Sequence, residues 1–271
     1  MMKRRKNKPF AHYLAMWGCI CTGIVYTGIG IIAILSFLKI KRGGADESSM
    51  LVYLDGFLVG KICVWLILSG MISYIIWRFY ETIYDPYGYK NNMTGISRRV
   101  VIALSSLADA LIAFSAVQAL LGIGGSGKTG VPTAEREMAG QILKESWGVW
   151  VLIGIGVITL LTAIAQMSYV ISNTYRERLD IYNISRRKQT ATHILAWAGH
   201  FARGIILGII GFFFIKAGIT ENEQYVVNTD KAFDFIGDHV GHLYFIIVAA
   251  GTICYGFFMF VLGVFYDSDK H

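Results

Sequence analysis

The sequence predicts an all-α protein, a polytopic membrane bundle of six transmembrane helices built from three parallel two-helix repeats. Three observations carry that reading. The chain of 271 residues is 55% hydrophobic and only 16% charged, with a mean hydropathy of +0.52, more apolar surface than one soluble core can hide. Six apolar segments follow one another, each near the roughly 20 residues that cross a bilayer, and the prolines Pro9, Pro86 and Pro132 fall outside all of them. Glycines then recur at a fixed offset along the chain, the mark of an internal repeat.

The first segment, Tyr13–Leu38, is too long for a signal-peptide core and lacks a cleavage site, so it is expected to be a helix of the mature protein. The second, Phe57–Phe79, runs into Trp77, Tyr80, Tyr84, Tyr87 and Tyr89, an aromatic belt of the kind that marks a membrane boundary. Arg78 and Glu81 lie one turn apart there, placed to pair at the interface. The third, Val100–Ile123, carries Asp109, and the fourth, Trp147–Ser172, opens on Trp147 and Trp150. The fifth, Thr192–Ala217, holds His200 and Arg203 near its middle, and the sixth is Val240–Phe265. Short outer elements at Ser49–Leu54, Glu137–Leu143 and Asp230–Ile236 mix apolar and charged residues as interfacial helices do.

Shifting the chain by 181 positions lays Gly18, Gly23, Gly30, Gly56, Gly60 and Gly70 on Gly199, Gly204, Gly211, Gly237, Gly241 and Gly251, with His12 on His193 and Tyr74 on Tyr255. A more diverged middle copy shows in the Ile-Ser-Arg-Arg shared by Ile96–Arg99 and Ile184–Arg187, and in Gly148 standing where Gly60 and Gly241 stand. The whole chain is thus expected to be one membrane domain, with repeats over about 10–90, 96–180 and 190–267 around a rough three-fold axis.

Charge sets the expected orientation. One set of loops and both termini carry fifteen Lys and Arg, the opposite loops eight. The positive-inside rule therefore puts both termini in the cytoplasm. Next to a membrane helix the basic run Lys3–Lys6 reads as an anchor to anionic lipid rather than a nucleic-acid arm. Gly122–Thr129 satisfies the phosphate-loop pattern, but it follows a membrane segment instead of a buried strand and is expected to face outward. Neither nucleotide nor nucleic acid is an expected partner.

Arg203 poses the functional question, because a charge at mid-bilayer costs about 3 to 10 or more kcal/mol and needs a partner, a water cavity or a task. On the same helix His200, Gly204, Gly208 and Gly211 fall within about 80°, a smooth stripe that another helix can approach. The repeat extends that packing role to Gly23 and Gly30, while Ile206 and Phe213 are expected to face lipid. An intramembrane polar cluster of Thr22, Asp109, His200 and Arg203 is expected, with Asp109 and Arg203 paired at one depth. His239 and His242 form a weak metal candidate lacking a third ligand. His200 lacks the facing ligand a haem site needs, the four cysteines read as packing residues, and no cofactor is expected.

The patterns Gly-Ile-Val-Tyr (Gly23–Tyr26), Ala-Arg-Gly (Ala202–Gly204) and Tyr-x-x-Trp-Arg followed by Asp-Pro (Tyr74, Trp77, Arg78, Asp85, Pro86) resemble a bacterial membrane family of six-helix, three-repeat proteins catalogued as domain of unknown function 1206. The resemblance implies that fold and a plasma-membrane location, and brings no activity or ligand. This chain departs from the pattern where the arginine of Ala-Arg-Gly becomes Thr22 in the first hairpin and Asp109 in the second, and where the Arg78 position is Met259 in the third.

Two function classes remain. One is a non-enzymatic subunit or scaffold that packs through glycine-striped helices, within itself, onto a protein partner or as a homo-oligomer. The other is a transporter or channel for a small molecule or ion with its polar site at Asp109 and Arg203. No metal cluster, nucleophile triad or carboxylate pair at one depth recommends an enzyme.

Overall fold

The computed structural model describes residues 8–39, 44–45, 58–84, 95, 99, 103, 117, 130–179 and 185–265. Five long helices occupy five of the six apolar segments: α1 (Lys8–Phe37), α2 (Leu58–Tyr84), α4 (Gly148–Ile171), α5 (Arg186–Ile219) and α7 (His242–Val264). The two short helices α3 (Thr133–Leu143) and α6 (Thr229–Phe235) precede α4 and α7. Among the described residues there is no strand. Four of the long helices are apolar enough over their length to cross a membrane, and the described apolar stretch of α2, Val64–Tyr80, is shorter. Apart from Ala103 and Val117, the third segment, Asp109 included, lies outside the described residues, as do the outer element Ser49–Leu54 and the phosphate-loop pattern.

The helices stand side by side in the order α2, α1, α7, α5, α4. Among the described residues neighbours take both flanks of α1, α7 and α5, which leaves each of these a narrower face for lipid, while α2 and α4 stand at the ends of the row. On α1 that face is Ile24, Ile31 and Leu38, and on α5 it is Ile205, Phe212 and Ile219, all exposed and spaced by seven residues. Each α5 residue lies 181 positions after its α1 counterpart. Ile206 points elsewhere: it is 5% exposed, packed with Val25, Ile29, Val248 and Ala249 in one apolar cluster. The expectation that it faces lipid fails because the flank opposite the glycines is not free but covered by α7.

Glycines set how close these neighbours come. A Cβ on Gly18 would lie 2.7 Å from the Tyr74 Cα, and one on Gly199 would lie 2.5 Å from the Tyr255 Cα, so the α1–α2 and α5–α7 pairs meet backbone to backbone at equivalent points. The contacts between successive pairs are built alike too. Gly23 and Gly30 of α1 abut the carbonyls of Gly256 and Ala249 on α7, at 2.9 and 2.8 Å from the added Cβ. Gly204 and Gly211 of α5 abut the carbonyls of Ala163 and Gly156 on α4, at 3.2 and 2.8 Å. Ala163 and Gly156 precede Gly256 and Ala249 by the same 93 positions that separate Gly148 from Gly241. Gly208 breaks the pattern, since nothing among the described residues lies within 4 Å of a Cβ built there. It is no close-approach position. On a helix it is turned about 40° from Gly204, toward the Ile205–Phe212 edge and away from α4.

The short helices form a collar at one end. Ala45, Ala232 and Phe245 pack in one cluster, and Val226, Ala139 and Leu152 in another. The two trios occupy equivalent repeat positions. Polar contacts stitch them: Asp230 Oδ1 accepts the Ala45 N–H at 2.5 Å, the Arg136 Nε–H donates to the Val226 carbonyl at 3.1 Å, and Asn228 donates to the Gly130 carbonyl at 3.2 Å. Asn228 also caps α6 by accepting the Lys231 N–H. Partial burial works to lower the Lys231 ammonium, but the hydrogen bond and charge of Asp234, 2.6 Å away, outweigh it and hold its pKa above the usual lysine value.

Candidate functional site

Arg203 is the midpoint of α5 and only 5% exposed. Its guanidinium lies over two tyrosine rings, Tyr26 of α1 and Tyr255 of α7, each with its centroid 4.8 Å away, and Nη1 donates to the Tyr255 hydroxyl. The two rings meet edge to face at 4.9 Å. Two aromatic faces and a hydroxyl offset part of the desolvation cost of the charge, with each desolvated cation–π contact worth about 2 kcal/mol. The arrangement needs this sequence order. Gly199 lets α5 approach Tyr255 closely, and Arg203, one turn later, then reaches across to α1.

His200 stands one turn before Arg203, buried, with its Nδ1 hydrogen-bonded to the Ala196 carbonyl at 3.0 Å. That bond requires the proton on Nδ1. Its ring is enclosed by Tyr169, Tyr255 and Phe258 at centroid distances of 5.0, 5.2 and 5.0 Å. His200 of α5 thus stands at the α4–α5–α7 junction, bonded to its own helix and enclosed by rings of the two neighbours.

Several hydroxyls are buried on the neighbouring helices. Thr22 of α1, Thr159 and Thr162 of α4 and Thr252 of α7 are all buried. Thr159, Thr162 and Thr252 donate to their own helix carbonyls four residues back, at 2.8, 2.9 and 2.9 Å, which satisfies each proton. The packing of Gly204 against Ala163 and of Gly211 against Gly156 sets Thr159 and Thr162 beside the stretch of α5 between these glycines, and the packing of Gly23 against Gly256 and of Gly30 against Ala249 sets Thr252 beside the matching stretch of α1.

Of the residues expected in the polar cluster, Thr22, His200 and Arg203 are thus buried on the described helices, and Asp109 lies outside the described residues. Sequence reasoning missed Tyr26 and Tyr255. Their signal was present in Tyr255 and Tyr74 being repeat equivalents and in Tyr26 closing the Gly-Ile-Val-Tyr pattern. Arg78, expected at the interface, is buried with its guanidinium 5.8 Å from the Tyr74 ring centroid. The histidine pair is not brought together as a metal site. His239 lies in a π turn (Ile236–Val240) and stacks on Phe235 at 4.6 Å, whereas His242 begins α7 and packs against Phe37 at 5.3 Å. Gly241, at φ +124°, breaks the helix between them. No group of three or more metal-ligating side chains occurs among the described residues.

Long apolar helices in register, a repeat, and a cation buried among aromatic rings define an integral membrane helix bundle. The chain belongs to the family described as Domain of Unknown Function (DUF1206), which it matches twice, over residues 17–85 and 198–266. The two matches are offset by the same 181 positions as the glycines. The chain is also similar to the uncharacterized protein YxxB of Bacillus subtilis (strain 168), 27% identical over 265 residues that cover 97% of this chain and 94% of the relative. No solved structure matches.

Proposed function

We propose that the chain is a non-enzymatic integral protein of the bacterial plasma membrane, with six spans in three parallel hairpins and both termini in the cytoplasm, that serves as a subunit or scaffold. The observation that carries this reading is the doubled glycine register. Gly23 and Gly30 against α7, and Gly204 and Gly211 against α4, lock neighbouring helices at backbone distance and make a stiff frame. In this reading Arg203 is a clasp, shared by Tyr26, Tyr255 and, from the second hairpin, Asp109. Purification in mild detergent followed by native mass spectrometry tests the role. A protein partner or second copy held at fixed stoichiometry supports it, and a monomer that retains a small molecule overturns it. For topology, a cysteine placed at Ser126 reacts with an impermeant thiol reagent on intact cells; labelling only after lysis reverses the orientation.

A second reading, transport of a small molecule or ion, is favoured by one feature, the burial of the Arg203 charge together with threonine hydroxyls on α1, α4 and α7. Retention of solute by proteoliposomes, with and without Arg203→Gln, separates it from the first.

A further inference from the structure

We propose that Arg186, Arg187 and Lys188, the first turn of α5, hold the headgroup of an anionic phospholipid in the leaflet at that end of the bundle. All three side chains are exposed, and no acidic residue stands in that turn. Among the described residues none of the three takes part in an ion pair. Carboxylates are the usual occupants of such a turn, and the described residues bring no counter-charge to it.

The position says what supplies it. The lipid-facing edge of α5, Ile194, Ile205, Phe212 and Ile219, is exposed along its length. Arg187 stands seven residues before Ile194, two turns along the same face, or about 10 Å of helix. The headgroup region is about 5–8 Å thick on each side of the hydrocarbon core, and an arginine reaches it by extending its stem along apolar surface. The neighbouring helix marks the same boundary: α4 ends at exposed Ile171 and passes into exposed Ser172 and Asn173. A fourth exposed cation, Arg176, is tied to this end by its own bond to the Tyr175 hydroxyl at 3.2 Å, and that hydroxyl meets His193 Nδ1 of α5 at 2.6 Å. A phospholipid meets both halves of this surface at once, its phosphate on the cations and its acyl chains on Ile194 and Ile205. A soluble polyanion would meet only the first.

Native mass spectrometry of the full chain in a neutral detergent, titrated with phosphatidylglycerol or phosphatidylcholine, tests the assignment. Each basic side chain at a membrane surface contributes about 1 kcal/mol toward anionic lipid, so R186Q/R187Q/K188Q is expected to weaken phosphatidylglycerol binding about a hundredfold and R187Q alone about fivefold. The single variant carries the test if the triple one fails to fold. K39Q/K144Q, at the other end, is expected to bind as the unaltered chain does. Equal retention of phosphatidylcholine, undiminished phosphatidylglycerol binding by the single and triple variants, or displacement of the lipid by glycerol phosphate at similar concentration would each overturn the proposal.

Discussion

The α1–α7 and α5–α4 contacts are two castings of one interface, and their differences teach more than their likeness. Both place a glycine pair on one helix face, seven residues from each other, against a neighbour's carbonyls. Between the glycines they diverge. The first carries Thr27, whose hydroxyl fills the space beside Gly256, and the second carries Gly208 with no described neighbour. One residue before the upper glycine the first has Thr22 and the second Arg203. Five before Gly204 the α5 chain has Gly199, matched by Gly18 in α1, and each lies on a tyrosine backbone. Register therefore lives in positions that touch backbone, where any side chain collides, and chemistry lives in the positions beside them, which are free to differ between repeats.

Breaking the chemistry is expected to cost most. Arg203→Gln removes a buried charge from its aromatic cage and, if Asp109 is its counter-ion, strands that carboxylate, a loss of about 3–5 kcal/mol. Asp109→Asn is expected to cost a similar amount, and the double substitution to recover much of it. Thermal unfolding in detergent checks the cycle, and costs that simply add would mean the two do not touch. Thr22→Val, at the equivalent position of α1, removes no charge and is expected to cost much less.

Breaking the register ranks second. Gly211→Leu and Gly30→Leu each force a side chain into a carbonyl 2.8 Å away, and overpacking of this kind costs about 1–3 kcal/mol. The two losses should be similar, because the sites are copies. The smallest effect sharpens the comparison. Gly208→Ala meets nothing among the described residues and exchanges a poor helix former for the best one, so it should be neutral or stabilise by up to about 1 kcal/mol. A loss at Gly208 as large as at Gly211 would show that the stripe is one continuous seam.

The sequence made the frame legible for a simple reason. Span length and glycine recurrence are one-dimensional signals, and the offset of 181 residues carried helix pairing with it, as the matched Gly18–Tyr74 and Gly199–Tyr255 contacts show. The site was legible in its polar members, Thr22, His200 and Arg203, and not in its rings. Tyr26 and Tyr255 are apolar enough to vanish into a membrane segment, and nothing along one strand of sequence says that two rings on different helices close over one guanidinium. Ile206 and Gly208 failed for a shared physical reason. A stripe read from a helical wheel is symmetric, whereas a helix with neighbours on both flanks buries the side opposite its glycines and can leave the rim of the stripe open.

The equivalence of the two interfaces is tested most directly by cross-linking within the membrane. A Cβ built on Gly263 lies 3.1 Å from the Cys19 Cβ, near the separation that a disulfide spans, and the equivalent pair across α4 and α5 is Val170 with His200. In a chain whose remaining native cysteines are replaced by alanine, Gly263→Cys should cross-link to Cys19 on mild oxidation. In a chain with all native cysteines replaced, Val170→Cys with His200→Cys should do the same. Both disulfides forming within one polypeptide is the predicted result; a bond at the first pair and free thiols at the second would contradict the claim that one interface is used twice.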